Sequence, residues 1–209
     1  MSHTSGALYI LSAPSGAGKT SLVKALLAQD PQVCVSVSHT TRKMRLGEEH
    51  GVDYNFVSQH DFSALVERQL MLEYATVFDN SYGTSKAWVE ANLALGQDVI
   101  LEIDWQGRDQ VLAIFPAAIA VTILPPSQAA LQDRLQGRGT DSADIIAQRM
   151  AEAHSEISHY HGSHFLVIND DFSEALTDLQ CIFSCRRLKT PQQAHKHHQL
   201  LADLLSTGG

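Results

Sequence analysis

The chain has 209 residues, 44% of them hydrophobic and 18% charged, with a formal net charge of −8 at pH 7. That size and balance predict a folded domain with room for insertions and exclude a disordered polypeptide. The negative charge argues against general affinity for DNA, RNA or anionic lipid, so any bound anion must be held locally by the 15 lysines and arginines.

No apolar run approaches the ~20 residues that cross a bilayer. The opening stretch MSHTSGALYILSAPSG has no basic segment ahead of its apolar residues, so no secretory signal is expected. Cys34, Cys181 and Cys185 form no even framework and no CxxC pair. The last two, one helical turn apart, are expected to be buried reduced thiols, which together with the absent signal predicts a cytoplasmic location.

In chain order, residues 7–12 read as a buried strand, and residues 20–28 as a helix with Leu22, Val23, Leu26 and Leu27 on one face. Residues 38–82 break the rhythm. They are rich in turn residues and aromatics (Tyr54, Phe56, Phe62, Tyr74, Phe78, Tyr82), and predict an inserted subdomain of small antiparallel strands around one helix at 61–68. Three apolar runs then predict parallel strands buried on both faces: DVILEID (98–104), AAIAVTIL (117–124) and HFLVIND (164–170). Helical patterns fall at 86–95, 106–114, 127–135, 143–160 and 173–187. Strands alternating with helices predict an α/β fold, a three-layer α/β/α core around a parallel sheet. LQGRGTDS (135–142) is a glycine-flanked arginine loop between helices, expected to be a mobile lid. The tail from Thr190 predicts a short helix with a frayed end.

APSGAGKT (13–20) matches the P-loop pattern G-x-x-x-x-G-K-[ST], with Ala13 in place of the first glycine. Gly16 and Gly18 let the backbone turn so that successive N–H groups face phosphate oxygens. The helix that follows adds the positive end of its dipole. Lys19 is placed to reach the β and γ phosphates, and the Thr20 hydroxyl is a ligand type for Mg²⁺. The bland alternative, a capping turn with a solvated lysine, does not account for the strand before the loop and the helix after it. A nucleoside triphosphate is therefore the expected ligand.

A P-loop alone does not separate ATPase, GTPase, kinase and scaffold. SVSHTTRKMRLGEEHGVDYNF (36–56) sets Arg42 and Arg45 in a turn-rich segment with Tyr54, a constellation suited to a phosphate monoester through charge-assisted hydrogen bonds. LEYATVFDNSYGTS (72–85) adds Glu73, Tyr82 and Thr84.

With LEIDWQG, LQGRGTDS and VINDDF, these motifs run in order over residues 7–187 and resemble guanylate kinases of the bacterial type, P-loop nucleoside monophosphate kinases. The resemblance implies transfer of the γ-phosphoryl of ATP to GMP with Mg²⁺, in purine nucleotide metabolism. It implies a P-loop core (1–37, 86–130 and 155–190), an inserted mixed α/β GMP-binding subdomain (38–85), a helical lid (131–154) and a tail (191–209). Along the loop it implies ATP contacts from Ala13, Pro14, Ser15, Gly16, Ala17, Gly18, Lys19, Thr20 and Ser21, with Asn169 beside the adenine. It implies that Arg42, Arg45, Tyr54 and Tyr82 hold the GMP phosphate. Ser38, Glu73 and Thr84 would read the guanine, with Glu102 and Asp104 at the edge of the site. Arg134 and Arg138 of the lid, with Arg149, would clamp the triphosphate and the migrating group beside Lys19 and Arg42. Six basic residues would then converge on one cleft of an acidic protein.

Guanine offers N1–H and its amino group side by side, and a carboxylate such as Glu73 accepts from both, whereas adenine offers an acceptor at N1. Without the resemblance, Glu73 reads as an exposed acid near a strand end, and the arginines as solvated surface charge. The acceptor phosphate is already an anion, so catalysis needs positioning and charge neutralisation rather than a strong base. DVILEID lies where a Walker-B-like strand belongs, and Glu102 or Asp104 would hold a metal-bound water.

The chain departs from the family's common pattern at Met44 (often proline), Ser81 (often tyrosine), Thr84 (serine also occurs) and Glu102 (often aspartate). None of these changes removes a phosphate ligand. His195, His197 and His198 fit no compact zinc pattern. His154, His159, His161 and His164 read as helix-end and surface residues, and Trp88 and Trp105 as packing residues. Two other readings stay open: a non-catalytic GMP- or peptide-binding module, and a kinase for another monophosphate. The intact Gly18-Lys19-Thr20 speaks against the first, and Glu73 with Arg42 and Arg45 against the second. The sequence sets no oligomeric state.

Overall fold

The computed structural model describes residues 6–77, 79–137 and 143–206. Its elements are β1 (Leu8–Ser12), α1 (Lys19–Gln29), β2 (Val33–Val35), β3 (His39–Thr40), β4 (Asn55–Phe56), α2 (Gln59–Glu67), β5 (Met71–Val77), β6 (Asn80–Ser85) and α3 (Lys86–Ala94). They continue with β7 (Asp98–Glu102), α4 (Trp105–Ile114), β8 (Ile119–Leu124), α5 (Gln128–Gln136), α6 (Ala143–Ser158), β9 (Phe165–Ile168), α7 (Phe172–Arg187), α8 (Thr190–Lys196) and α9 (His198–Leu205).

Five strands form one sheet in the order β2-β7-β1-β8-β9, and every neighbouring pair is parallel. β1 lies at its centre, buried along its whole length. Side chains alternate across a strand, so Tyr9 and Leu11 face one layer while Leu8 and Ile10 face the other. On the first side they join Leu22, Val23 and Leu26 of α1 and Leu179 and Phe183 of α7; the Tyr9 and Phe183 rings stack at 3.7 Å. On the second side they meet Val89 of α3 and Val111 of α4. This is the three-layer α/β/α core, and no helix among the described residues is long and apolar enough to cross a membrane.

Helix starts follow from single residues. The side chains of Ser58, Ser85, Asp104, Ser127 and Asp171 each accept a backbone N–H from the first turn they precede, which satisfies donors that a helix start otherwise leaves unpaired.

The inserted segment forms a second sheet, in the order β4-β3-β6-β5. The sequence predicts antiparallel strands here; β5–β6 and β3–β6 are, but β3 and β4 run parallel. Their connection is long enough to reverse direction twice, through turns at Gly47 and Gly51, both at positive φ. Leu72 of β5 reaches the core's second apolar cluster. The Gln110 side chain of α4 exchanges two hydrogen bonds with the Tyr74 backbone, at 3.1 and 2.9 Å, and covers part of the β5 edge.

Several expectations need correction. β2 lies in a stretch to which no element is assigned from the sequence, because three residues give no periodicity. Cys181 and Cys185 are exposed on α7 rather than buried, since the inward face of that helix is taken by Ala175, Leu176, Leu179 and Phe183. Trp88 is exposed, whereas Trp105 packs as expected, stacked on the His159 ring at 3.7 Å. His164 is exposed, as expected, and its Nδ1 accepts the Ala120 N–H at 2.9 Å. The tail carries two short helices instead of one, and residues 207–209 lie outside the described residues.

Candidate functional site

The site is built at the carboxyl ends of the central strands, where α/β sheets collect ligands. Parallel pairing sets Leu11 beside Glu102, so the loop after β1 and the turn after β7 emerge side by side. The Ser12 hydroxyl donates to the Ile103 carbonyl at 2.9 Å and ties the two together.

The loop after β1 closes with an Ala17 N–H to Pro14 carbonyl bond of 3.1 Å. Gly16 and Gly18 sit at φ 92° and 94°, a region that side chains other than glycine rarely adopt. Both are also crowded: a Cβ on Gly16 would lie 3.0 Å from a Leu131 methyl, and one on Gly18 would collide with the Asn169 amide. Gly18 precedes α1 without a side-chain cap, so the first-turn N–H groups are left for a ligand. Lys19 is half-buried, and its Nζ donates to the Leu11 carbonyl at 3.3 Å. Burial lowers its pKa, and the carboxylates of Glu102, Glu156 and Asp104 oppose that shift. Thr20 and Ser21 are exposed on the first turn.

Beside the loop, Ser38, Tyr54, Glu73, Ala75, Tyr82, Glu102, Ile103 and Asp104 line a cavity of about 250 Å³. Glu73 is 4% exposed, against the reading of it as a surface acid. Its Oε1 accepts the Thr84 hydroxyl at 2.6 Å. Its Oε2 packs against Gly107, where a Cβ would come within 2.8 Å. Burial pushes the Glu73 pKa up to about 7; the Thr84 bond opposes the shift, and the Asp104 charge adds to it. Asp104 spends Oδ1 on the Gly107 N–H as the cap of α4.

Arg42 does not line the cavity but meets one of its walls: the guanidinium lies 5.3 Å from the centre of the Tyr54 ring and 5.7 Å from that of Phe56. Tyr54 meets Tyr82 edge to face, with ring centres 6.0 Å apart. Arg45 is exposed and does not line the cavity.

A family profile described as guanylate kinase matches residues 5–185. The chain belongs to the guanylate kinase family. It is 56% identical over 201 residues to the guanylate kinase of Saccharophagus degradans, a match covering 96% of this chain and 98% of the relative. With the guanylate kinase of Pseudoalteromonas translucida the figure is 53% over 205 residues, covering 98% and 100%. The crystal structure of guanylate kinase from Anaplasma phagocytophilum superposes with a TM-score of 0.73 at 30% identity, covering 90% of this chain and 89% of that one.

On the other flank of this family's P-loop, α5 and α6 pack through Leu131, Leu135 and Ala153. Arg134 of α5 donates to the Asn169 carbonyl at 2.9 Å, while its Nη1 is buried without a hydrogen-bond partner among the described residues. Asn169 is buried, and its amide donates to the Ala17 carbonyl at 2.7 Å. That amide braces the phosphate loop from beneath, a task the sequence did not assign to it. Arg149 is half-buried on α6. Arg138 and most of the LQGRGTDS loop lie outside the described residues.

The buried Glu102 Oε1 has no hydrogen-bond partner among the described residues. A carboxylate oxygen left so near Lys19, together with the Thr20 hydroxyl on α1, is a hard-oxygen donor type that fits Mg²⁺. Sequence reasoning missed Glu48, which pairs with Arg42, and Glu156, whose pKa burial raises beside Asp104 and Lys19. The acidic pair after Gly47 was the signal for the first, and helical phase gave none for the second.

Proposed function

We propose that this chain transfers the γ-phosphoryl of ATP to GMP, giving ADP and GDP. The observation that carries the proposal is the pairing of a P-loop with a cavity of about 250 Å³, joined across the β1–β7 register and walled by a buried carboxylate. In the family's reading, the first-turn N–H groups of α1 and Lys19 take the ATP phosphates, aided by Ala13 to Ser21. Arg134, Arg138 and Arg149 close over them, with Asn169 beneath the loop. Residues 38–85 then serve as the GMP-binding subdomain and residues 131–154 as the lid on a P-loop core.

GMP enters with its base against Glu73, which accepts from N1–H and the amino group, while Ser38 and Thr84 offer hydroxyls and Asp104 lies alongside. Its phosphate meets Arg42, Arg45, Tyr54 and Tyr82. A phosphate oxygen of GMP forms the new bond to the γ-phosphorus as the bond to the β–γ bridging oxygen breaks, and that oxygen leaves with ADP. The acceptor is an anion, so the protein's task is to hold the two phosphates in line and neutralise charge on the migrating group. Mg²⁺ bound with ATP supplies further neutralisation; the Thr20 hydroxyl and the Glu102 carboxylate, the latter through water, are the residues that would hold it. Closure of lid and subdomain excludes water, the competing acceptor.

The test is ADP release from ATP and Mg²⁺ with GMP, AMP, CMP, UMP or dTMP in turn. GMP is expected to be strongly preferred, with dGMP slower. A rate with GMP no higher than without it ends the proposal.

A further inference from the structure

The turn between β3 and β4 holds a carboxylate with no assigned task. Glu48 grips the end of the Arg42 guanidinium with both oxygens: Nη2 donates to Oε1 at 2.7 Å and Nη1 to Oε2 at 3.1 Å. Oε2 also accepts the backbone N–H of Arg45 at 2.7 Å. The Glu48 N–H in turn donates to the Arg45 carbonyl at 3.2 Å, closing the turn at Gly47. The Lys43 carbonyl takes a further Nη1 hydrogen at 2.8 Å. One carboxylate thus binds the side chain of the first arginine and the main chain of the second. Arg42 keeps Glu48 ionised, holding its carboxyl below the usual range.

We propose that Glu48 is a positioning residue for the acceptor phosphate, fixing the Arg42 guanidinium over the Tyr54 ring and setting the turn that carries Arg45. The proposal rests on the reading that Arg42 binds the phosphate of GMP. A carboxylate beside such an arginine has an alternative role as a rival, occupying the cation until phosphate displaces it. The geometry favours positioning. The bonds to Glu48 and Lys43 use both Nη1 hydrogens and one on Nη2, which leaves Nε–H and the second Nη2–H, the side edge of the fork, outside this network; the Tyr82 hydroxyl, itself assigned to the phosphate, is the other group that bears on the guanidinium. That edge is a bidentate face for phosphate oxygens. A guanidinium clamped at its end and stacked on Tyr54 has lost its rotamer freedom before the ligand arrives, so binding does not have to order it.

The test compares Glu48→Ala, Glu48→Gln and Glu48→Asp in the full chain, measuring KM for GMP and ATP, kcat, and equilibrium binding of GMP and of guanosine. Glu48→Ala is expected to raise the KM and Kd for GMP about tenfold or more, with kcat within about threefold and the KM for ATP unchanged. Guanosine has no phosphate, so its affinity is expected to stay at the wild-type value. Aspartate, one methylene shorter, is expected to restore part of the loss. If the alanine variant does not fold, the isosteric Glu48→Gln carries the same comparison, with a smaller rise expected because the amide keeps one acceptor.

Unchanged or tighter GMP binding would make Glu48 a bystander or a rival and overturn the proposal. So would equal weakening of GMP and guanosine, the mark of a purely structural role. A wild-type chain that shows no dependence on GMP would instead remove the reading on which the proposal rests.

Discussion

Replacing Glu73 by glutamine removes the buried carboxyl from the cavity wall while keeping its shape. Burial raises the Glu73 pKa from 4.5 to about 7, and recognition of guanine by two donors requires the ionised form. With that pKa, about a tenth of the protein is ionised at about pH 6 and about nine-tenths at about pH 8. Apparent affinity scales with the competent fraction, so the KM for GMP is expected to fall by about tenfold between those values. The GMP phosphate itself titrates near pH 6, and Glu73→Gln, which lacks the carboxyl, supplies the correction. Its profile should keep only the phosphate component, at a KM higher by roughly 10–100-fold at about pH 8 for the lost charge-assisted pairing. The KM for ATP should be untouched. The same shift acts on stability. An acid with a raised folded pKa contributes stability that is full below about pH 4.5 and lost as pH rises through about 7, at most about 3 kcal/mol. Urea unfolding of the wild type should show that decline, and Glu73→Gln should flatten it. Parallel KM profiles for the two proteins, or a wild-type stability that rises over this window, would refute the reasoning.

Lys19→Met is expected to lower kcat by about three orders of magnitude or more, with GMP still binding by calorimetry, because in the proposed mechanism the charge lost is one that serves the transferring group. Gly107→Ala should raise the KM for GMP and weaken discrimination against AMP. Alanine suits the α4 helix, yet its Cβ would lie 2.8 Å from Glu73 Oε2 and 3.2 Å from Ile103 Cδ1 and so displace the carboxylate. Arg187→Met should destabilise the fold by about 2 kcal/mol in urea titration, discounted for the partial exposure of the arginine. It leaves buried Asp98 and half-buried Asp30 without the guanidinium that pairs with them at 2.7 and 2.6 Å. Asn169→Ala should raise the KM for ATP, because the Ala17 carbonyl loses its 2.7 Å donor and the phosphate loop its brace.

The parts of the fold that were legible in the sequence are those where one physical requirement dominates. β1, β7 and β8 are buried on both sides, so their residues read as unbroken apolar runs, and α1 and α7 carry one apolar stripe each. The P-loop was legible because its glycines answer to backbone geometry rather than to packing. What did not show were short pairings and environment. β2 and β3 are too brief for any period, and the parallel pairing of β4 depends on the turn through Gly47 and Gly51. Nothing local tells that Glu73 faces inward: it sits in a strand flanked by Leu72, also buried, and Tyr74, which is exposed. The bulge between Met71 and Glu73 breaks the alternation that would have placed all three.

The charges, too, take an arrangement that counting them does not reveal. Six basic residues converging on a cleft suggests a cationic hollow waiting for anions, yet two of the cations described here already face carboxylates. Arg42 is bonded to Glu48, and Lys19 is flanked by Glu102, Glu156 and Asp104. This follows from the cost of burial: a half-buried ammonium or guanidinium without a counter-charge would unsettle the loop that carries it. In the proposed reading, nucleotide binding on this scaffold therefore adds phosphate oxygens to cations whose charge is already balanced, rather than filling an unbalanced field. Differential affinity then comes from geometry. A carboxylate supplies two oxygens in a plane, whereas a phosphoryl group in transit presents three around its axis, and in the proposed mechanism only the second engages the loop N–H groups and the lysine together. On the proposed reading, a protein with net charge −8 holds two polyanions end to end with Arg42 and Lys19 facing carboxylates before either ligand arrives.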